Sequence, residues 1–383
     1  MSDNSAKIRL PSRFVRVGQE VPVDVYAKNG LLLLKKGHYV LTDAQRERLV
    51  EMAHGDAEEV AVRLERERLD RAAQREKDAE ASAPKNPLVE AGFLAGRLEK
   101  LLLHGLSVPG LAGRVEELAE GLQALCERFQ DGMIAAMFML PVRSHSFHVA
   151  TVLAILGRRL GFAPERLHSL VCAGMTMNIA IAPLLNQLSQ QTSPLSEEQR
   201  EALFAHPVLG SAILREAGVS DEHWHLLVQT HHETMSGDGY PQGLSGEEVH
   251  QDARLIGLVD QLCELLTLDD GPLPSQTMSA LFRGELGEVD PQWLTLLIRE
   301  LGIYPPGSFV RLASGEIAVV TYRGDKANQP RVAALRKENG PPYADALLRD
   351  TRQTAYRVVG SATLADAVVK TAYLAKLWTS RMG

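Results

Sequence analysis

The sequence predicts a mainly α-helical protein with a small N-terminal α/β unit and a short β-containing C-terminal region. Apolar residues follow a nearly continuous helical pattern from Leu88 to about Leu301. Before this region, apolar residues fall on every second position of Val21–Tyr26, which is the period of a strand. After it, Phe309–Leu312 and Ile317–Tyr322 have the pattern of a β-hairpin.

The N-terminal unit is expected to begin with a hairpin followed by a helix. Asn29-Gly30 favours a tight turn after the first strand, and Leu31–Leu34 is the predicted return strand. Thr42 and Gln45 have the spacing of a capping box and predict a helix that runs to about His54.

A highly charged segment follows the N-terminal unit. Between residues 56 and 80 more than half of the positions are charged, and Val60, Leu64 and Leu69 are too sparse to form a wide apolar face. We interpret the segment as a solvated linker helix, with a short coiled-coil or dimer contact as the alternative.

Changes in hydrophobic pattern and charge divide the chain into five expected segments. The expected organisation is an N-terminal domain at 1–55, a charged helical linker at 56–86, a helical connector at 87–140, a main helical domain at 141–300 and a C-terminal extension at 301–383. The extension should contain a further strand near Arg331–Leu335 and a final helix from about Leu364.

Charge and composition exclude several functional classes. The net charge of -7 disfavours broad binding to nucleic acid, because phosphate backbones are repelled. No apolar run approaches the ~18 residues that a membrane span needs. We therefore expect neither nucleic-acid nor membrane partners. The polar start of the chain and its three scattered cysteines predict a cytoplasmic protein.

Ionisable residues interrupt several apolar helical faces. Each histidine alone is typical of a hydrogen-bonded core position, Pro207 is expected to break its helix, and Asp260 could pair with Arg254. Taken together, they also allow a metal or polar site inside a helical bundle. The five residues are His145, His206, His231, His232 and Asp260.

One segment has a specific signature. The stretch HHETMSGDGYPQGL, which begins at His231, resembles the HD-GYP family of metal-dependent phosphohydrolases that cleave cyclic di-GMP. SHSFHVATVLAILGRRLG, HPVLGSAIL and ARLIGLVDQL are similar to other segments of that family, in the same order. The resemblance covers about residues 140–320 and implies an HD-type helical bundle.

Two motifs depart from the family pattern. Met177 and Asn178, in a helix expected around residues 172–183, stand where the resemblance implies the metal-binding His-Asp pair, and Ile181 replaces a lysine. Thr234 and Ser236 replace an arginine and an aspartate. The resemblance implies that the aspartate of the His-Asp pair, replaced here by Asn178, bridges two metals ~3.5–4 Å apart, so a two-metal centre is disfavoured.

The resemblance still implies one metal site with an open position. His206, His231 and His232 are its expected ligands, with manganese, iron or zinc as the divalent metal. The other family site retains only His145 and Asp260, with Asn178 as a further candidate ligand.

The motif loop is the expected ligand-binding element. Gly237 and Gly239 allow close backbone approach to a ligand, and Tyr240, followed by Pro241, offers a flat ring and a hydroxyl group.

Three functions are compatible with these features. The first is a degenerate HD-GYP signalling protein that hydrolyses weakly or not at all and binds cyclic di-GMP, a related nucleotide or a signalling-domain partner. The second is a residual phosphohydrolase that uses a mononuclear three-histidine metal. In the third, the histidines are remnants in a hydrogen-bonded core and the terminal domains act. Oligomerisation stays open.

Overall fold

The computed structural model describes residues 6–82, 86–140, 144–188, 191–267, 271–285 and 289–378. The chain divides into two units, Met1–Ala83 and Pro84–Gly383, and each is described by itself. The five-segment subdivision stays a prediction, and its boundary at residue 141 lies outside the described residues.

The N-terminal unit contains a four-stranded antiparallel sheet in the order β1-β4-β2-β3. The expected hairpin is present, with Val25 opposite Leu34 and a positive φ of 86° at Gly30. The elements are β1 (Lys7–Arg9), β2 (Val25–Tyr26), β3 (Leu32–Leu34), α1 (Asp43–Met52), β4 (His54–Asp56) and α2 (Ala57–Ser82).

The strand β4 has no strand pattern in its sequence, and the helix expected to reach His54 ends at Met52 instead. Gly55 explains why a strand forms here. A Cβ atom at this position would lie 2.8 Å from side-chain atoms of both Leu10 and Val60, so only glycine lets the strand lie between β1 and β2.

The charged segment forms the helix α2, as expected. Val60 is buried in the core of the N-terminal unit, whereas Val62 and Leu69 are exposed. The alternative of a coiled-coil contact stays a prediction.

The second unit is mainly helical, which confirms the predicted fold class. Its helices pack around one apolar core, which includes Leu111, Val115, Leu118 and Leu122. The helices are α3 (Pro87–His104), α4 (Leu111–Arg128), α5 (Gln130–Met137), α6 (His145–Arg159), α7 (Pro164–Thr176), α8 (Ala182–Leu188), α9 (Glu197–Glu216), α10 (Glu222–Thr230), α11 (Gln251–Thr267), α12 (Pro274–Phe282) and α13 (Pro291–Leu301). None of the described helices is both long and apolar enough to cross a membrane.

The helix α9 corrects one expectation. It begins at the capping box of Ser196 and Gln199, and it continues through Pro207. Proline removes a single helical hydrogen bond, and a side-chain bond described below takes its place.

The C-terminal region forms an antiparallel sheet in the order β8-β7-β6-β5-β9. The expected hairpin is β5 and β6, and the expected helix begins at Leu364 but is short. The elements are β5 (Phe309–Leu312), β6 (Glu316–Tyr322), β7 (Arg331–Lys337), β8 (Pro342–Asp350), β9 (Val358–Ala362), α14 (Leu364–Ala367) and α15 (Thr371–Ala375).

Candidate metal centre

Three of the histidines chosen from the sequence come together. His206 lies in the middle of α9, His231 directly follows α10, and His232 is the next residue. One ligand atom from each lies within 4.8 Å of the others. His206 and His231 are buried and His232 is half-buried, so the group faces the interior with one side towards the surface.

Backbone carbonyls fix the tautomers of two of these rings. The Nδ1–H of His206 donates to Leu203 O at 2.6 Å, and the Nδ1–H of His231 donates to Val228 O at 2.8 Å. Because a carbonyl can only accept, the proton of each neutral ring is on Nδ1 and the lone pair is on Nε2. Such second bonds orient histidines that bind metals.

The two Nε2 atoms lie 3.3 Å apart. Two lone pairs at this distance repel each other unless a cation lies between them. Two nitrogen ligands at ~2.0–2.1 Å from a tetrahedral metal are about 3.3–3.4 Å apart. The spacing of His206 and His231 therefore fits a shared metal ion.

The protonation states of the three rings also suit a metal. Burial lowers the pKa of His206, and burial with neighbouring histidines lowers the pKa of His231 to about 3. Burial likewise lowers the pKa of His232 to about 4. All three rings are thus neutral near pH 7, which is the form that binds metals.

His145 and Asp260 form a pair beside the three histidines. The Nε2–H of His145 donates to Asp260 Oδ1 at 2.7 Å, so the aspartate pairs with His145 and not with Arg254. Burial opposes ionisation of Asp260, but the bond from His145 and the nearby His231 and His232 lower its pKa.

Gly257 allows the helix that carries Asp260 to lie close to the three histidines. A Cβ atom at Gly257 would lie 2.7 Å from His231 O, so α11 can approach the end of α10 only because this residue has no side chain. Asp260 follows one turn later in α11.

The segment expected to hold the family His-Asp pair is not a continuous helix. It is interrupted by a turn, with α7 ending at Thr176 and α8 beginning at Ala182. Met177 is fully buried in the apolar core, and Ile181 is also buried. Asn178 lies in the turn, where its backbone carbonyl accepts a hydrogen bond from Ile181 N at 3.1 Å. Asparagine favours turns over helix interiors, which accounts for the interruption.

Glu233 holds the motif loop, a role that the sequence analysis missed. Its buried carboxylate accepts hydrogen bonds from Gln242 N at 2.7 Å and from Leu244 N at 2.9 Å. The sequence did contain a signal for this role. An acidic residue next to two inward-facing histidines is itself expected to be buried, and a buried carboxylate needs hydrogen-bond donors.

Gly239 allows the motif loop to pack closely against the histidine segment. A Cβ atom there would lie 2.5 Å from His232 O and 2.6 Å from Glu233 Cα, so the loop can fold back on the histidine segment only with glycine. Gly237 has a positive φ of 83°, and the Tyr240-Pro241 peptide is cis. Both glycines have structural roles, and their expected contact with a ligand stays a prediction.

The two substitutions in the loop form a local network. Thr234 Oγ1 and Ser236 Oγ both donate to Asp238 Oδ1, at 2.5 and 2.6 Å. These hydrogen bonds lower the pKa of Asp238. The hydroxyl groups therefore stabilise the loop without the arginine and aspartate that the family resemblance implied.

Tyr240 covers the exposed side of the histidine group. Its ring stacks on His232, with centroids 4.5 Å apart, and on Phe204, with centroids 5.3 Å apart. It also meets His206 edge to face at 6.3 Å. Phe204 was not singled out in the sequence, because an aromatic residue on a helix is usually a core residue.

A second group of ligand atoms lies elsewhere in the helical unit. His223, His250 and Asp252 have ligand atoms within 4.8 Å of one another and line a cavity of about 1070 Å³. Arg166 donates to both oxygens of Asp252, at 2.8 and 2.6 Å, and His223 approaches one of them at 3.0 Å. Because Arg166 already neutralises the carboxylate, we interpret the group as an ion-pair network between α7, α10 and α11.

Comparison with known proteins identifies the helical domain. Residues 119–283 match the family model described as HD domain. The chain is 28% identical over 195 residues to cyclic di-GMP phosphodiesterase PA4108 of Pseudomonas aeruginosa, covering 49% of this chain and 46% of that protein. It is 24% identical over 198 residues to cyclic di-GMP phosphodiesterase PdeB of Borreliella burgdorferi, covering 50% and 52%. The matched segment thus spans about half the length of these relatives.

Among solved structures, the chain is similar to Bd1817, described as a HDG"Y"P protein from Bdellovibrio bacteriovorus. The identity is 17%, the TM-score is 0.47, and the alignment covers 77% of this chain and 98% of the other.

Proposed function

We propose that this chain, whose residues 119–283 match the HD-domain family model, is a degenerate HD-GYP signalling protein. It binds cyclic di-GMP or a related nucleotide and hydrolyses it weakly or not at all. Its output is then a binding signal to a partner. The relatives named as cyclic di-GMP phosphodiesterases support the ligand class.

The observation that carries this proposal is the state of residues 177–181. Met177 is buried in apolar surroundings, and methionine is a soft ligand that does not suit a hard hydrolytic metal. Asn178 is neutral and cannot supply the bridging carboxylate that two close cations need. Ile181 is buried and offers no positive charge to a phosphate group.

One metal site remains in the proposal. His206, His231 and His232 would hold a single divalent ion, and the fixed Nε2 lone pairs 3.3 Å apart are the support for it. When bound, such an ion supplies a Lewis acid for a phosphate oxygen. The Nε2–H of His145 donates to Asp260, and Tyr240 shields the histidines from water on one side.

The test begins with metal content and ligand affinity. We expect about one equivalent of manganese, iron or zinc in the purified protein, lost in His231→Ala and kept in the control His104→Ala, which changes an exposed histidine. Calorimetry with cyclic di-GMP should show binding by the unaltered chain. Absence of nucleotide binding by the unaltered chain would refute the proposal, and absence of metal would refute its mononuclear site.

Hydrolysis is tested by restoring the missing residues. The triple variant Met177→His, Asn178→Asp, Ile181→Lys should cleave cyclic di-GMP with manganese faster than the unaltered chain. The unaltered chain should be at most slightly faster than His231→Ala. If the triple variant does not fold, this second comparison decides alone.

The second candidate is a slow phosphohydrolase with a mononuclear metal. The three histidines favour it, because they leave an open position for a substrate oxygen. It predicts cleavage by the unaltered chain that disappears in His231→Ala.

A further inference from the structure

An aromatic ladder leads from the histidine group to the surface. His232 stacks on Tyr240 with an interplanar angle of 24°, and Tyr240 stacks on Phe204 with an angle of 22°. Each ring is therefore close to parallel to its neighbour in the ladder. The inner two are half-buried, whereas Phe204 is 55% exposed.

The exposure of Phe204 needs an explanation. One face of its ring is covered by Tyr240, so the exposed area is largely the opposite face. Phe204 precedes His206 by two residues in a helix whose register is fixed by the capping box of Ser196 and Gln199. The ring is thus held at the edge of the candidate metal centre, with a flat apolar face towards solvent.

The ladder is also rigid before any ligand arrives. Tyr240 N donates to His232 O at 3.3 Å, and Glu233 holds the following residues through Gln242 N and Leu244 N. A platform that is already ordered loses little entropy when a planar group stacks on it.

We propose that Phe204 is the stacking platform for a purine base of the nucleotide whose phosphate lies at the histidine group. The inference rests on the proposed function, because it needs a nucleotide at this site. A planar π face is what an exposed phenyl ring can recognise, and stacking on an aromatic side chain contributes substantially to the binding of a base. Phe204 is then the residue that distinguishes a nucleotide from simple phosphate.

The experiment measures cyclic di-GMP, inorganic phosphate and metal with the full chain. Phe204→Ala should raise the Kd for cyclic di-GMP by about 5- to 150-fold. Phe204→Trp should restore or tighten binding, because the larger ring keeps the stack. Leu209→Ala removes another exposed apolar side chain from α9 and should leave the Kd unchanged. Metal content and the affinity for inorganic phosphate should be equal in all four proteins.

The outcomes separate this inference from the proposed function. If the unaltered chain binds cyclic di-GMP and Phe204→Ala binds it equally well, the stacking role is wrong and the proposed function stands. If Phe204→Ala also loses metal or phosphate, the ring is structural and the inference fails. If the unaltered chain binds no nucleotide, both proposals are overturned.

Discussion

The carbonyl oxygen of Leu203 accepts a hydrogen bond from the ring of His206, at 2.6 Å. In a helix this carbonyl would accept from the backbone amide four residues later. That residue is Pro207, which has no N–H. The proline therefore leaves an acceptor for the imidazole, and the imidazole in return is fixed with its Nε2 lone pair towards His231.

Pro207→Ala should change stability and metal affinity in opposite directions. The restored N–H competes for Leu203 O, so the orientation of His206 weakens and metal affinity should fall by about 10- to 100-fold. Alanine also removes a helix-breaking residue, so the free energy of unfolding should rise, by at most about 3 kcal/mol. Metal titration and urea denaturation measure the two effects. Glu201→Ala, at an exposed position of α9, is the control. Unchanged metal affinity in Pro207→Ala would contradict this role of the proline.

Glu233→Gln should loosen the motif loop. Both carboxylate oxygens accept backbone N–H groups, and an amide would place a second donor against one of them. We expect a loss of about 1–3 kcal/mol in loop stability and faster hydrogen exchange at Gln242 and Leu244. Exchange followed by mass spectrometry should show no such change in Glu247→Gln, which alters an exposed side chain. Equal exchange in both variants would show that Glu233 does not hold the loop.

His148→Leu should stabilise the protein. The ring of His148 is fully buried, and neither nitrogen has a hydrogen-bond partner among the described residues. Replacing an unpaired buried polar group by an apolar side chain of similar size should raise the free energy of unfolding by about 1–3 kcal/mol. Urea denaturation at pH 7 measures the change, and a less stable variant would indicate a partner for the ring.

The same residue predicts a pH dependence. Burial, with a smaller effect of His145, lowers the pKa of His148 to about 3 in the folded state. The unfolded ring takes up its proton near pH 6.5, so the folded state loses stability as the pH falls below that value. At pH 5 this loss is about 2 kcal/mol. His148→Leu should therefore lose less stability than the unaltered chain between pH 7 and pH 5, and equal losses would contradict the assignment.

Asp252→Ala should be destabilising. Asp252 is buried and accepts from Arg166 and His223. Because the Arg166 side chain is 34% exposed and water can solvate its guanidinium, we expect a loss of about 1–3 kcal/mol. The matched control is Glu222→Ala, because Glu222 makes an equally short two-bond pair with Arg215 at the surface, and we expect little change. Thermal denaturation compares the two variants, and similar losses would show that burial is not decisive.

Asp252 also has a pH signature. Burial opposes its ionisation, but the bonds from His223 and Arg166 lower the pKa of the folded carboxyl group to about 2. Its stabilising effect is complete above the ordinary pKa near 4 and is lost as the pH falls towards 2. Asp252→Asn should lack this part of the acid transition.

Local sequence patterns predicted several elements correctly. The hairpin of β5 and β6 and the long helical region before it both form where expected. The resemblance to the HD-GYP family was also predicted from the order of its motifs, and the match of residues 119–283 to the HD-domain model supports it. The binding of metal by His206, His231 and His232 stays a prediction.

Other features depend on contacts between segments far apart in the chain. The strand β4 exists because Gly55 fits between Leu10 and Val60. No local pattern predicts such a fit, since Leu10 lies far from Gly55 in the sequence.

The sequence alone determined the mainly helical class, the terminal sheets and the resemblance to the HD-GYP family, because local periodicity and a long ordered motif are properties of neighbouring residues. Only the tertiary structure decided that Asp260 pairs with His145, that Glu233 holds the motif loop and that Phe204 ends an aromatic ladder. The physical reason is that hydrogen bonds and ring stacks depend on distances of a few ångströms between elements, and these distances arise only when the helices pack.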